Sequence, residues 1–153
     1  MLTEKQQAIN YITMRHIERV RNLINKCVNM LLKCGERHDQ TKLETPEVEL
    51  FAEYTDKLAD VEYNSDEYRS YLVEMQVALE HHYGHNRHHP EHHKSGIDDM
   101  DLIDMVEMFC DWKAASERHN TGNILKSIET NADRFSMSPQ LIRIFENTAK
   151  RFG

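Results

Sequence analysis

The residues His38-Asp39-Gln40-Thr41-Lys42 place a histidine, an aspartate and a lysine within five positions. Imidazole nitrogens and carboxylate oxygens together suit zinc, iron, nickel or manganese better than purely oxygen-liganded ions. A short run of this kind matches by chance, but here it follows a long helical pattern and precedes a histidine-rich tract. The run is therefore the centre of a predicted metal site.

Apolar residues recur at spacings of three and four along most of the chain, which predicts amphipathic helices. Thr3 and Gln6 resemble a capping box at the start of the first helix, and Gly35 is expected to end it. No strand-length alternating run stands out, and there is no glycine-rich phosphate loop. A length of 153 residues fits one domain. We predict an all-α, single-domain helical bundle over residues 1–153.

His16 lies four residues after Ile12 and four before Val20, so it is expected on the inward-facing stripe of the first helix. A histidine there is either a metal ligand or a core histidine with a hydrogen-bond partner. Cys27 and Cys110 also lie on apolar helical faces and are predicted to be core residues. The three cysteines form no CxxC pair, which indicates reduced thiols in a cytosolic protein.

Seven of the ten histidines fall between positions 81 and 93. A pattern that includes Leu72, Met75 and Leu79 predicts one helix with His82 on its buried face, and His81 is the second choice there. Gly84 is expected to end this helix, and the residues after it read as a loop. The loop offers further candidate ligands, which are His88, His89 and His92. The alternative is a tract that binds metal adventitiously.

A later predicted helix, at about residues 100–119, carries Asp104, Met108, Asp111 and Ala115 on one stripe. A buried aspartate needs a partner, either a metal ion or an arginine. Asp111 is preferred over Asp104 as the late ligand. Arg87, in the histidine tract, is a candidate for contact with an anionic substrate.

The net charge of −7 gives no uniform attraction to nucleic acid or to anionic membranes. The first residues have no signal-peptide core, and no apolar run approaches the ~20 residues of a membrane span. We expect a cytoplasmic protein, in the host cytoplasm if it is phage-encoded. An exposed face with methionine and tyrosine side chains could support a homodimer.

The order of an early histidine, a His-Asp pair, a histidine pair and a late aspartate resembles the HD-domain superfamily of metal-dependent phosphohydrolases. That superfamily is all-helical, and the resemblance implies four metal ligands, which are His16, His38, Asp39 and Asp111. Three strings look more closely like an uncharacterised family of small bacterial and phage proteins, which brings no known activity. They are His-Asp-Gln-Thr-Lys-Leu, Asn-Arg-His-His-Pro-Glu-His and Leu-Ile-Asp-Met-Val-Glu-Met-Phe-Cys-Asp-Trp-Lys-Ala-Ala.

Lys42 follows the aspartate by three residues, as in branches of the superfamily with an HDxxK pattern. Those branches frequently add histidines and bind two metals, so the resemblance implies a two-metal site completed by His82 and by one of the loop histidines, His88, His89 or His92. The ions would be manganese, iron, nickel, cobalt or zinc. The sequence after His81-His82 does not reproduce the glycine-rich motif of the cyclic-dinucleotide phosphodiesterases.

The implied reaction is hydrolysis of a nucleotide or a related phosphoester by metal-activated water. Asp39 would bridge the two ions, and Lys42 would either neutralise the phosphate or pair with a nearby carboxylate. Arg87 would contact the phosphorylated substrate, and Glu91 or a loop histidine would protonate the leaving oxygen. Two alternatives stay open. One is a di-iron oxygenase with the same cassette, and the other is a non-catalytic module that binds a nucleotide or a host protein.

Overall fold

The protein is built from α-helices joined by short 3-10 turns. The computed structural model describes residues 1–62, 65–118 and 122–152, and this part of the chain contains no strand. The all-α prediction is confirmed. The helices are α1 (Glu4–Arg37), α2 (Glu47–Asp60), α3 (Asp66–Glu74), α4 (Gln76–His85), α5 (Leu102–Glu117), α6 (Ile124–Arg134) and α7 (Pro139–Phe152), with 3-10 turns at Gln40–Leu43, Pro90–His92 and Gly96–Asp99.

The chain divides into two compact units, Met1–Glu36 and Arg37–Gly153, and each is described by itself. The first unit is essentially α1. Thr3 and Gln6 form the predicted capping box, since each backbone N–H donates to the other's side chain, at 2.8 and 3.3 Å. Gly35 does not end the helix, which continues to Arg37. The prediction of one domain over the whole chain stays a prediction.

No residue of α1 is buried. His16 and Cys27, which were expected to face inward, are exposed together with apolar residues such as Ile12 and Val20. The prediction of a buried stripe on α1 is wrong, because a unit made of one helix has no second element against which to bury a face.

In the second unit, α2, α3 and α4 pack around a small core that includes Tyr54, Met75 and Ala78. The single helix predicted to reach His82 is instead two helices, α3 and α4, which meet at Met75. Ser65 caps α3 by accepting a hydrogen bond from the Tyr68 N–H at 3.1 Å. Gly84, which was expected to end the single predicted helix, falls inside α4.

The larger core lies among α5, α6 and α7. Asp101 caps α5 by accepting from two backbone N–H groups, and Asp104 accepts in return from the Asp101 N–H. Phe145 of α7 packs edge-on against Phe109 and Trp112 of α5. Cys110, predicted to be a core residue, is exposed. The buried members of this core are Met108, Phe109, Trp112, Ile128, Ala132, Met137, Phe145 and Ala149.

No helix among the described residues is long and apolar enough to cross a membrane.

Replacement of Ile128 by alanine should destabilise the second unit. Its side chain is 1% exposed in the α5–α7 core, so Ile128→Ala removes buried methyl groups and leaves a cavity that costs about 2–5 kcal/mol. Leu125→Ala on the same helix is the matched control, because Leu125 is 45% exposed. Urea denaturation followed by circular dichroism measures both, and equal losses would contradict this account of the core.

Candidate metal centre

The predicted cassette folds into a tight turn that presents the Asp39 carboxylate. Asp39 has a φ of 56°, in the left-handed region that aspartate tolerates better than most residues. The 3-10 turn Gln40–Leu43 follows, and its Lys42 N–H donates to the Asp39 carbonyl at 2.9 Å. The Lys42 ammonium also donates to Asp39 Oδ2 at 2.6 Å. Lys42 therefore fixes one carboxylate oxygen and leaves the other to its neighbours.

That other oxygen, Asp39 Oδ1, lies among three histidines of the tract. It is 3.4 Å from His82 Nε2 and 3.5 Å from His88 Nε2. His82 Nε2 is in turn 2.9 Å from His89 Nε2. The four residues each offer one ligand atom, and these atoms all lie within 4.8 Å of one another. Ligands of one ion lie roughly 3–4 Å apart when each metal–ligand bond is about 2.1 Å, so the spacing suits a single ion.

A second group of donors forms around His38. Its Nε2 lies 3.6 Å from Asp39 Oδ2 and 3.7 Å from Asp111 Oδ1. These three residues also satisfy the distance condition for one ion. Asp39 thus contributes one oxygen to each of two groups, which is the position predicted for a carboxylate that bridges two ions.

A third group consists of His38, His88 and Glu107. Glu107 Oε1 is 3.0 Å from His38 Nδ1 and 3.2 Å from His88 Nδ1. The first contact is a hydrogen bond in which the carboxylate accepts. Glu107 therefore orients the ring of His38 so that its Nε2 faces Asp39 and Asp111. A carboxylate behind a histidine in this way fixes the tautomer and raises the basicity of the free nitrogen.

Glu47 does the same for the His82 side. It is completely buried, and its two oxygens accept from His81 Nδ1 at 2.7 Å and from His82 Nδ1 at 2.8 Å. Burial by itself raises the pKa of Glu47, but hydrogen bonds from His81, Thr41 and His82 outweigh it and hold the pKa below its usual value. The carboxylate form keeps the proton of His82 on Nδ1 and turns the Nε2 lone pair toward Asp39.

Burial and charge set the protonation of the ligand candidates. Burial, together with the neighbouring His88 and His82 rings, lowers the pKa of His89 to about 3. Burial also lowers the pKa of His82. The carboxylates of Asp111 and then Glu107 raise the pKa of His38 to about 10. His82 and His89 therefore each offer a lone pair, while the ring of His38 lies among carboxylates.

Three buried polar atoms here make no hydrogen bond to the described residues. They are Asp39 Oδ1, His88 Nδ1 and His88 Nε2. A buried polar atom left unpaired costs about 1–3 kcal/mol. All three belong to the donor groups. A divalent ion among Asp39, His82, His88 and His89 would be the partner of Asp39 Oδ1 and His88 Nε2, whereas His88 Nδ1 faces Glu107 Oε1 at 3.2 Å. The residues therefore fit a metal ion in both donor chemistry and spacing.

The remaining sequence-predicted residues lie outside these groups. His16 belongs to the first unit, where it is exposed. His92 Nδ1 donates to the Tyr83 carbonyl at 2.8 Å. Glu91 Oε1 accepts from Arg134 at 2.6 Å.

Arg87 and Asp104 form an ion pair with each other. Arg87 donates two hydrogen bonds to the Asp104 carboxylate, at 3.0 and 2.7 Å. The buried aspartate thus has the arginine partner that was one of its two predicted options, and Asp111 is the late aspartate that joins the donor groups.

Three members of the arrangement were missed or left undecided by the sequence. Glu107 stands four residues before Asp111 on α5 and so shares its face, which is a spacing that could have identified it. Glu47 was not among the predicted site residues. His89 was one of three open choices in the loop, and only the folded chain distinguishes it from His92.

A cavity of about 700 Å³ adjoins the donor groups, between the histidine loop, α5 and α6. His89 and Asp111 contribute to its wall, as do Trp112 and Phe135. Its volume lies in the range of pockets that bind small organic molecules. The candidate ligands are thus reachable from a space that could hold a substrate.

The model of one protein family, described as "Family of unknown function (DUF5662)", matches residues 5–151. The chain belongs to this family. No curated protein and no solved structure matches it at a level that would indicate a relationship. For this DUF5662 member, the site itself is therefore the basis for a functional proposal.

The first prediction for this site concerns metal content. Protein purified without a histidine tag or a nickel column should carry one or two equivalents of a transition metal by elemental analysis, and His38→Ala should lose at least one. His85→Ala is the matched control, because His85 is an exposed tract histidine outside the donor groups. Unchanged metal in His38→Ala, or equal loss in both variants, would contradict the assignment.

The second prediction concerns Glu47. Glu47→Gln removes the carboxylate that fixes the His82 tautomer, so metal affinity should fall about 10–100-fold. Glu49→Gln on the same helix is the control, because Glu49 is exposed and its Oε1 accepts from Thr45 rather than from a histidine of the donor groups. Competition with a chromophoric chelator measures affinity, and a urea titration verifies that the variant folds. A folded Glu47→Gln with unchanged affinity would show that Glu47 serves packing alone.

Proposed function

We propose that this protein is a metal-dependent phosphohydrolase that acts on a nucleotide or a related phosphoester. The observation that carries the proposal is the position of Asp39, which belongs to two donor groups, with Oδ1 near His82 and His88 and Oδ2 near His38. Such an arrangement suits two neighbouring divalent ions, which clamp the oxygens of a phosphoryl group in many hydrolytic sites. The adjacent cavity supplies room for a substrate.

The metal would be held by His82, His88, His89 and Asp39 on one side, and by His38, Asp39 and Asp111 on the other. A divalent ion bound there activates water near neutral pH and offsets the charge of phosphoryl oxygens. The protein's own contribution is orientation. Glu47 and Glu107 hold the rings of His82 and His38 so that their Nε2 atoms face the carboxylates.

Besides its hydrogen bond to Asp39, Lys42 has a proposed role in binding the phosphoryl group. Its ammonium lies against Asp39 Oδ2, so it brings a positive charge beside the position at which a phosphoryl oxygen would approach the donor groups. A cation there lowers the electrostatic cost of binding the anionic substrate. The general-acid role predicted for Glu91 would require it to leave its ion pair with Arg134.

The resemblance to the HD-domain superfamily forms part of this proposal, as do a cytoplasmic location and a homodimeric state. It is supported by the residues at positions 38, 39 and 111, which the fold brings together. The expected ligand His16 belongs to the first unit and does not contribute to the support for this resemblance.

The di-iron oxygenase is the rival that shares these donors. The carboxylate-rich side of the arrangement, with Asp39, Asp111 and Glu107, also suits iron. Consumption of oxygen that depends on bound iron would favour the oxygenase, whereas release of phosphate under anaerobic conditions would favour hydrolysis.

The test of the proposal is phosphate release from a panel of nucleotides and phosphomonoesters, assayed with Mn²⁺, Mg²⁺, Co²⁺, Ni²⁺ and Fe²⁺. We expect turnover with at least one pair of metal and substrate, and a fall of at least about 100-fold in kcat for Asp39→Asn, because the shared carboxylate charge is lost. Asp133→Asn, an exposed position on α6, should keep full activity. A silent panel with metal-loaded protein would overturn the hydrolase and leave a non-catalytic binding protein.

A further inference from the structure

The cavity beside the donor groups has a wall of unusual composition on the side of α6. The α6 residues that line it include Ser127, Thr130 and Asn131. These are small, neutral side chains that can donate or accept hydrogen bonds. An exposed helical face is more commonly covered with long charged residues. The wall is therefore suited to contact with a polar ligand.

Charge is divided between the two sides of α6. The helix carries two cations, Lys126 and Arg134, and both line the cavity. It also carries two acids, Glu129 and Asp133, and neither lines it. The wall that α6 offers to the cavity is thus positive, although the chain as a whole has a net charge of −7.

Most charges of the cavity are already matched by neighbours. Arg134 forms an ion pair with Glu91 at 2.6 Å, and Asp111 Oδ1 lies 3.7 Å from His38 Nε2. Lys126 forms no hydrogen bond or ion pair with the described residues. Among the described residues, the ammonium of Lys126 is therefore available to form an ion pair with an anionic group of a ligand.

We propose that this cavity binds the organic part of the substrate, and that this part carries a second anionic group, a carboxylate or a phosphate, which Lys126 holds. The phosphoryl group to be cleaved would lie at the donor groups, beside His89 and Asp111. Trp112 and Phe135 offer aromatic surface to the organic part. The assignment rests on the proposed function for the position of the first phosphoryl group, and it defines the substrate class as compounds with two separated anionic groups.

The test uses three non-hydrolysable probes and the protein as purified with its metal. They are benzylphosphonate, 4-carboxybenzylphosphonate and 1,4-bis(phosphonomethyl)benzene, which differ only in the second group. Trp112 is the single tryptophan of the chain and lines the cavity, so its fluorescence reports binding. Isothermal titration calorimetry provides an independent affinity.

We expect at least one of the two probes with a second anionic group to bind about tenfold or more tightly than benzylphosphonate. Lys126→Met should remove this difference in affinity. Lys126→Arg should retain most of it. Lys150→Met, an exposed lysine outside the cavity lining, is the control with the same change in charge. A preference for the carboxylate or for the second phosphonate identifies which of the two anions the natural substrate carries.

Equal affinities for the three probes, no binding of any probe, or an advantage that survives Lys126→Met would each overturn the inference. Because the probes are not hydrolysed, this outcome is separate from that of the phosphate-release assay. Turnover with equal probe affinities would retain the hydrolase and reject the second anion site. Binding that depends on Lys126, without turnover of any phosphoester, would retain the anion site and reject the hydrolase.

Discussion

The carboxylate of Asp39 is the point on which the arrangement of the second unit depends. One oxygen accepts from Lys42, and the other is buried among histidine rings without a hydrogen bond to the described residues. Burial raises the pKa of Asp39, but the hydrogen bond from Lys42 and the nearby positive charges outweigh it, so the pKa is lowered. A carboxylate that stays charged while one oxygen lacks a partner is costly, and a cation at this place removes the cost.

Around this carboxylate, two further carboxylates fix the orientation of histidine rings. Glu47 comes from the start of α2 and Glu107 from the middle of α5, and each accepts a hydrogen bond from the Nδ1 of a different histidine. Both contacts leave the Nε2 atoms directed at Asp39. The outer carboxylates thus decide which nitrogen is free to act as a ligand, which is the role such partners have in metal sites.

Several features could be predicted from the sequence because they depend on local chemistry. The helices follow from apolar spacing, and the capping box at Thr3 follows from hydrogen bonding within one turn. The grouping of His38, Asp39, His82, His88 and Asp111 was also anticipated, although largely through a resemblance. The spacing of apolar residues predicted burial less reliably, since Cys27 and Cys110 lie on apolar helical faces and are nonetheless exposed.

The sequence by itself determined the helical class and the supply of imidazole and carboxylate groups. Only the tertiary structure decided which of these groups meet. His89 joins the donors and His92 does not, because the loop after α4 turns one ring toward Asp39 and the other toward the Tyr83 carbonyl. Asp104 and Asp111 share a stripe, but Arg87 reaches only the first. Such choices depend on contacts between residues far apart in sequence, which helical periodicity does not encode.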